Sequence, residues 1–192
     1  MFAELLSQPG VAERVHLASR VGFLALHGGL EPGTAELAES AAVASGASFY
    51  ALVQPDGLRW HVPAHEMTPD AAPSLAAFLG HVDVVVSLHG YGGRNRQDAV
   101  LVGGADRVQA AAVGARLRAA LPDYDVVDDL ERIPAELRGV HPSNPVNLTR
   151  GGGVQLELPH RVRAIGPYRD PTSRAHTAAL TDALVAYGAA GA

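Results

Sequence analysis

Two short blocks put a histidine at the mouth of a glycine-rich turn. His27-Gly28-Gly29-Leu30-Glu31 follows the apolar run 21–26, and Ser87-Leu88-His89-Gly90 follows the largely apolar run 82–86. The first block adds a carboxylate four residues after its histidine. Imidazole nitrogen and carboxylate oxygen are donors that zinc takes in hydrolytic sites, and two histidines with one carboxylate leave a fourth position open for chemistry. Convergence of His27, Glu31 and His89 would therefore make a catalytic metal site. Each block also has a plainer reading. The first is a glycine turn with an acid, Glu31 or Glu36, favoured by the dipole at a helix start. The second is a hydrogen-bonded core histidine.

Other residues fit around such a site. In Val154-Gln155-Leu156-Glu157-Leu158, alternation puts Gln155 and Glu157 on one face of a strand and the apolar residues on the other. Glu157 is then either a solvated acid on a half-exposed strand or a general base beside an activated water. Asn147 and Arg150 precede Gly151-Gly152-Gly153, where an amide and a guanidinium could hold a substrate carboxylate or an oxyanion. Arg94 and Arg96, in the glycine-rich stretch after His89, could meet an acidic substrate or be ordinary surface charge. His61 and His65 have the i, i+4 spacing of a metal pair, but Pro63 between them opposes the helix such a pair needs. They are read as cleft-wall or structural residues, and His141 is left unassigned.

Absences prune the chemistry. The 192 residues include no cysteine, which excludes disulfides, thiolate nucleophiles and cysteine zinc sites. All 15 basic side chains other than histidine are arginine, and the missing lysine excludes Schiff-base chemistry and a Walker-type phosphate loop. No G-x-S-x-G serine elbow is present. Nine histidines remain, so hydrolysis would most readily use a metal. A net charge of −5 gives no reason to expect nucleic acid or an anionic membrane as partner. No apolar run is long enough to span a bilayer. Met1-Phe2-Ala3-Glu4 lacks a basic n-region, so no signal peptide and a cytoplasmic location are expected.

The elements that must position these residues follow from periodicity. Strands are expected at 11–17 and 21–26 (joined by a tight turn), 48–54, 82–88, 99–102, 124–127 and 153–158, with an edge strand at 58–62 before Pro63. The largely apolar run 82–88, interrupted only by Asp83 and Ser87, marks a central strand covered on both faces. Helices are expected from Pro32-Gly33-Thr34 to near Gly46, over 72–79, over 107–121 capped by Asp106, and at the C-terminal end. There Thr172 or Ser173 is the expected cap and His176, Leu180, Ala183, Leu184 and Tyr187 form the buried stripe. Residues 133–150 read as a long loop, a place where function often resides. Strands alternating with helices imply one α/β domain over 1–192, a three-layer sandwich with a mixed sheet between helices. In such sheets ligands gather beyond the carboxyl ends of strands, where His27, His89 and Glu157 fall.

Taken in order, His27-Gly-Gly-Leu-Glu-Pro-Gly-Thr-Ala-Glu36, Ser87-Leu-His-Gly90 and Asn147-x-x-Arg150-Gly-Gly-Gly-Val-Gln-Leu-Glu157-Leu resemble the poly-γ-glutamate hydrolase family, small zinc enzymes of bacteria and their phages. The resemblance runs from about Val11 to Leu158, with the remainder matching as a closing helix. It implies a zinc carboxypeptidase-like fold, zinc on His27, Glu31 and His89, and catalysis by Glu157. The family usually has one more residue between the first histidine and its glutamate. The shorter gap here implies either a tighter loop or a different angle of approach for Glu31.

The expected function is zinc-dependent hydrolysis of γ-glutamyl amide bonds in poly-γ-glutamate or a related compound. Glu157 and Arg150 would be catalytic, and Asn147, Arg150, Arg94 and Arg96 would bind an acidic, peptide-like substrate. The alternatives are a zinc deacylase of small N-acyl amino acids and a non-catalytic binding protein on the same fold. Oligomeric state and endo or exo cleavage are not encoded legibly.

Overall fold

A computed structural model describes residues 1–92, 96–150 and 152–191. The chain runs α1 (Phe2–Leu6), β1 (Ala12–His16), β2 (Val21–Gly28), α2 (Thr34–Ser45), β3 (Ser48–Val53), α3 (Pro73–His81), β4 (Val84–Gly90), β5 (Ala99–Gly103), α4 (Arg107–Ala120), β6 (Asp125–Val127), β7 (Val154–Leu158) and α5 (Pro171–Ala190). Short 3-10 turns punctuate the segments between them.

The strands form one sheet in the order β1-β3-β2-β4-β7-β5-β6. β3, β2, β4 and β7 run parallel, β1 is antiparallel to β3, and β5 is antiparallel to β7. The sheet is therefore mixed, and β4 sits at its centre as its apolar run requires. One face packs Phe23, Ala25, Val86, Leu88, Leu156 and Leu158 against α2, α4 and α5. The opposite face packs Leu24, Leu26, Tyr50, Leu52 and Val85 against α1 and α3, with Leu5, Leu75 and Phe78 inserted between. Three layers result, and each fully buried large apolar side chain contributes about 1.5–3 kcal/mol relative to exposure. Among the described residues, no helix is long and apolar enough to cross a membrane.

Several local expectations shift. Strands β1 and β2 follow one another in sequence but are not neighbours, because β3 lies between them. No strand forms at 58–62. The Gln54 side chain takes the hydrogen-bonding place of a partner strand, donating to the Trp60 carbonyl (2.8 Å) and accepting from the Trp60 N–H (3.2 Å). The last helix is capped by Asp170, two residues before Thr172, with Asp170 Oδ1 accepting from the Ser173 N–H at 2.9 Å. Asp106 caps α4 as expected, accepting from the Gln109 N–H at 3.0 Å. All five residues of β7 are buried, so its polar face is turned into the interior rather than to the outer surface.

Candidate metal centre

The site stands at the carboxyl ends of β2, β4 and β7, three adjacent parallel strands. His89 and Glu157 are direct partners in the β4–β7 register and share the face turned away from α2, α4 and α5. His27 is the penultimate residue of β2, where the pairing with β3 shifts register between Ala25 and Gly28. Glu31 returns to His27 because its N–H donates to the His27 carbonyl at 2.8 Å, closing a single turn. Gly29 makes that turn possible. Its φ is 77°, and a Cβ there would lie 2.2 Å from the Gln54 carbonyl oxygen. The short gap is thus accommodated by tight closure.

Three donor atoms converge. His27 Nδ1 lies 3.2 Å from His89 Nδ1 and 3.0 Å from Glu31 Oε1, and His89 Nδ1 lies 3.6 Å from Glu31 Oε2. The remaining atoms are committed elsewhere. His27 Nε2–H donates to the Val62 carbonyl (2.9 Å), His89 Nε2 meets Ser87 Oγ (3.0 Å), and the Gly90 N–H donates to Glu31 Oε2 (2.8 Å). When His27 is neutral, its proton is on Nε2 and its Nδ1 lone pair faces another imidazole nitrogen and a carboxylate. In that state a cation at the centre completes the cluster, in competition with a proton on His27. Two donors each about 2.0–2.1 Å from a tetrahedral zinc are roughly 3.3 Å apart, close to the spacings found. Among the described residues, His27, Glu31 and His89 form a three-residue group fit to hold a metal. The Val62 carbonyl fixes the His27 tautomer, and the outward hydrogen bonds hold the orientation of both rings, as outer partners of metal ligands do.

Electrostatics separates the two acids. Burial would push the Glu31 carboxyl up, but hydrogen bonds and charge from His27 and His89 outweigh it and hold Glu31 well below the usual range. Burial likewise opposes charge on His27, yet Glu31 and the Val62 carbonyl raise its pKa. Glu157 goes the other way. It is 4% exposed, and burial, reinforced by repulsion from Glu31, pushes its pKa well above the usual carboxylate range. Shifts of opposite sign leave one carboxylate ionised and the other able to hold a proton near neutral pH.

These residues open into a cavity of about 710 Å³, within the range of small-ligand sites. The loop 133–150 covers it with Leu137, Gly139, Val140, His141 and Asn144. His61 and His65 form the opposite wall, His61 with its ring 4.9 Å from that of His27 and His65 with its ring 4.6 Å from that of His141. Asn144 and Gln155 join the site's hydrogen-bond network, and motif reading singled out neither. Asn144 Nδ2 donates to Gln155 Oε1 (2.9 Å), and Gln155 Nε2 donates to Glu157 Oε1 (2.8 Å), a buried relay that aims the acid. The shared face of Gln155 and Glu157 was a visible signal, whereas Asn144 gave none.

Other expected substrate residues are not brought to the cavity. Asn147 spends its amide on backbone, accepting from the Ala105 N–H and donating to the carbonyls of Gly139 and His141, so it pins the covering loop. Arg150 is exposed and does not line the cavity. Arg96 is exposed beside Asp98, Asp125 and Arg132 in a separate depression. Arg94 lies outside the described residues. The arginine at the centre is instead Arg163, 5% exposed, its pKa lowered by burial to about 10 and supported by the charges of Glu31 and Glu157.

The sequence pattern of the family described as Poly-gamma-glutamate hydrolase matches residues 2–187. The chain belongs to that family. Membership makes it a hydrolase, and its fold is zinc carboxypeptidase-like. A bacteriophage poly-γ-glutamate hydrolase superposes with a TM-score of 0.73 at 24% identity, over 96% of this chain and 93% of that one. The zinc-free apo form of YNDL gives 0.71 at 24% identity, over 91% and 89%. A Burkholderia mallei protein named as a candidate carboxypeptidase gives 0.51 at 12% identity, over 97% of this chain and 66% of that one. No curated protein matches the chain closely enough to count as a relative.

Proposed function

We propose that this chain is a zinc-dependent amidohydrolase that cleaves γ-glutamyl amide bonds, in poly-γ-glutamate or a related γ-glutamyl compound. The observation that carries the reading is the meeting of three metal donors, His27, Glu31 and His89, with a buried acid of raised pKa in one cavity. The family name supports the substrate class. His27, Glu31 and His89 hold the metal. When bound, zinc supplies Lewis acidity toward an amide carbonyl and eases deprotonation of water near neutral pH. Glu157 takes the proton from the attacking water and returns it to the departing amine, a role its raised proton affinity suits. Gln155, held by Asn144, keeps one Glu157 oxygen engaged and leaves the other for the proton. His61, His65 and His141 offer donors to a polar substrate from the cavity walls. Asn147 holds the covering loop, and Arg150 attracts acidic substrate from outside the cavity.

The test is hydrolysis of poly-γ-glutamate beside α-linked polyglutamate and a panel of N-acyl amino acids, with chelator and after zinc is restored. Cleavage of the γ-polymer, abolished by chelator and recovered with zinc, is the expected result. Preferential hydrolysis of the N-acyl amino acids would replace the substrate assignment with deacylation. Activity indifferent to chelator, or a protein that takes up no metal, would overturn the reading.

A further inference from the structure

We infer that Arg163 is the positioning residue of this centre: from behind the site, its guanidinium ties together the three backbone segments that deliver Glu31, His89 and Glu157. The inference rests on the metal-centre reading above. Arg163 Nη1–H donates to the Pro32 carbonyl (2.7 Å), Nε–H to the Leu158 carbonyl (3.1 Å) and Nη2–H to the Tyr91 carbonyl (3.4 Å). Pro32 directly follows Glu31, Leu158 directly follows Glu157, and Tyr91 stands two residues after His89. One planar group thus grips the chain immediately downstream of a metal ligand on two segments and of the proton carrier on the third. It also places positive charge behind two carboxylates that repel each other.

Two backbone features mark the arrangement as built. A Cβ at Gly90 would lie 2.5 Å from both the guanidinium carbon and Nη1 of Arg163, so the residue after His89 must be glycine for the guanidinium to lie where it does. On the arginine's own side, Ala164 adopts a left-handed φ of 51°, the only described residue other than glycine to do so, which is unfavourable for a residue bearing a Cβ. Arg163 does not line the cavity, so it touches no substrate there and acts through the residues it positions. Lysine cannot substitute fully, because an ammonium lacks the rigid fork that reaches three carbonyls in different directions.

The test measures zinc affinity by chelator competition, with zinc alone as the probe, together with thermal stability, in wild type and in Arg163→Met, Arg163→Lys, Gly90→Ala and Leu117→Ala. Leu117 is fully buried on α4 in the opposite layer and serves as the control for general destabilisation. Arg163→Met should bind zinc about 10- to 100-fold more weakly, the usual effect of losing an outer partner of metal ligands, with Arg163→Lys recovering part of the loss. Gly90→Ala, which keeps the arginine and displaces it, should weaken zinc similarly, and it decides the matter if Arg163→Met does not fold. Leu117→Ala should lower stability and leave zinc affinity unchanged. Zinc affinity within twofold of wild type in a folded Arg163→Met or Gly90→Ala, or an equal loss in Leu117→Ala, overturns the positioning role while leaving the metal centre intact. Failure of the wild type to bind zinc overturns the metal centre and this inference with it.

Discussion

Replacing Glu157 by glutamine isolates proton transfer from everything else the site does. The side chain keeps its shape, and its amide oxygen keeps the hydrogen bond from Gln155 Nε2 now made at 2.8 Å. Glu157 is not among the three converging metal donors, so metal content should be preserved. What disappears is a group able to accept and return a proton. General acid–base catalysis contributes about 100- to 10,000-fold, or roughly 2.7–5.5 kcal/mol of barrier, so kcat should fall by that factor with little change in KM. The variant carries a second, independent signature. The folded-state pKa of Glu157 is raised first by burial and then by Glu31, so its contribution to stability is present below the unfolded carboxylate range and is lost as pH rises through the raised value. Metal-free Glu157→Gln should therefore be more stable than metal-free wild type, by a margin that widens as pH rises. The assay is initial rate against γ-polymer at matched zinc content, with thermal melts of both metal-free proteins from pH 5 to 9. A variant fully loaded with zinc that turns over within tenfold of wild type would refute the base assignment, and loss of zinc would refute the separation of ligand from base.

Further expectations concern the metal, the protons that compete with it and the arginine on the loop. His27→Ala and His89→Ala should each purify without stoichiometric zinc, read by metal analysis, whereas Ser87→Ala, which removes only the partner of His89 Nε2, should retain zinc at about 10- to 100-fold weaker affinity. Because Glu31 and the Val62 carbonyl raise the pKa of His27 against the effect of burial, protons displace the metal from a higher pH than an ordinary histidine would allow; zinc affinity, titrated in buffers from pH 5 to 8, should begin falling above pH ~6.5. Arg150→Ala should slow hydrolysis of the acidic polymer mainly through KM and with marked salt dependence, since Arg150 is exposed and does not line the cavity. A loss of 100-fold or more in kcat would instead place Arg150 at the developing oxyanion.

The sequence by itself pointed to the class of chemistry and determined the layering. Missing lysine and cysteine, together with two histidines at strand-to-glycine junctions, left metal-assisted hydrolysis as the economical reading. Strand and helix periods, being local properties of the chain, marked all of β1 to β7 and four of the five helices. They also put Gln155 and Glu157 on one face of β7, because side-chain alternation is fixed by strand geometry alone. Strand order and the hydrogen-bond partners of loops depend on contacts between distant residues, and only the tertiary structure decided those. It placed β3 between β1 and β2, and it used a glutamine side chain where a strand at 58–62 was expected. It turned Asn147 inward to brace its own loop and brought Asn144 to the acid relay, a choice between two asparagines three residues apart that no local pattern encodes. It also left Arg150 outside and buried Arg163 behind the centre, since the place of a guanidinium follows from which backbone carbonyls the folded chain leaves within its reach.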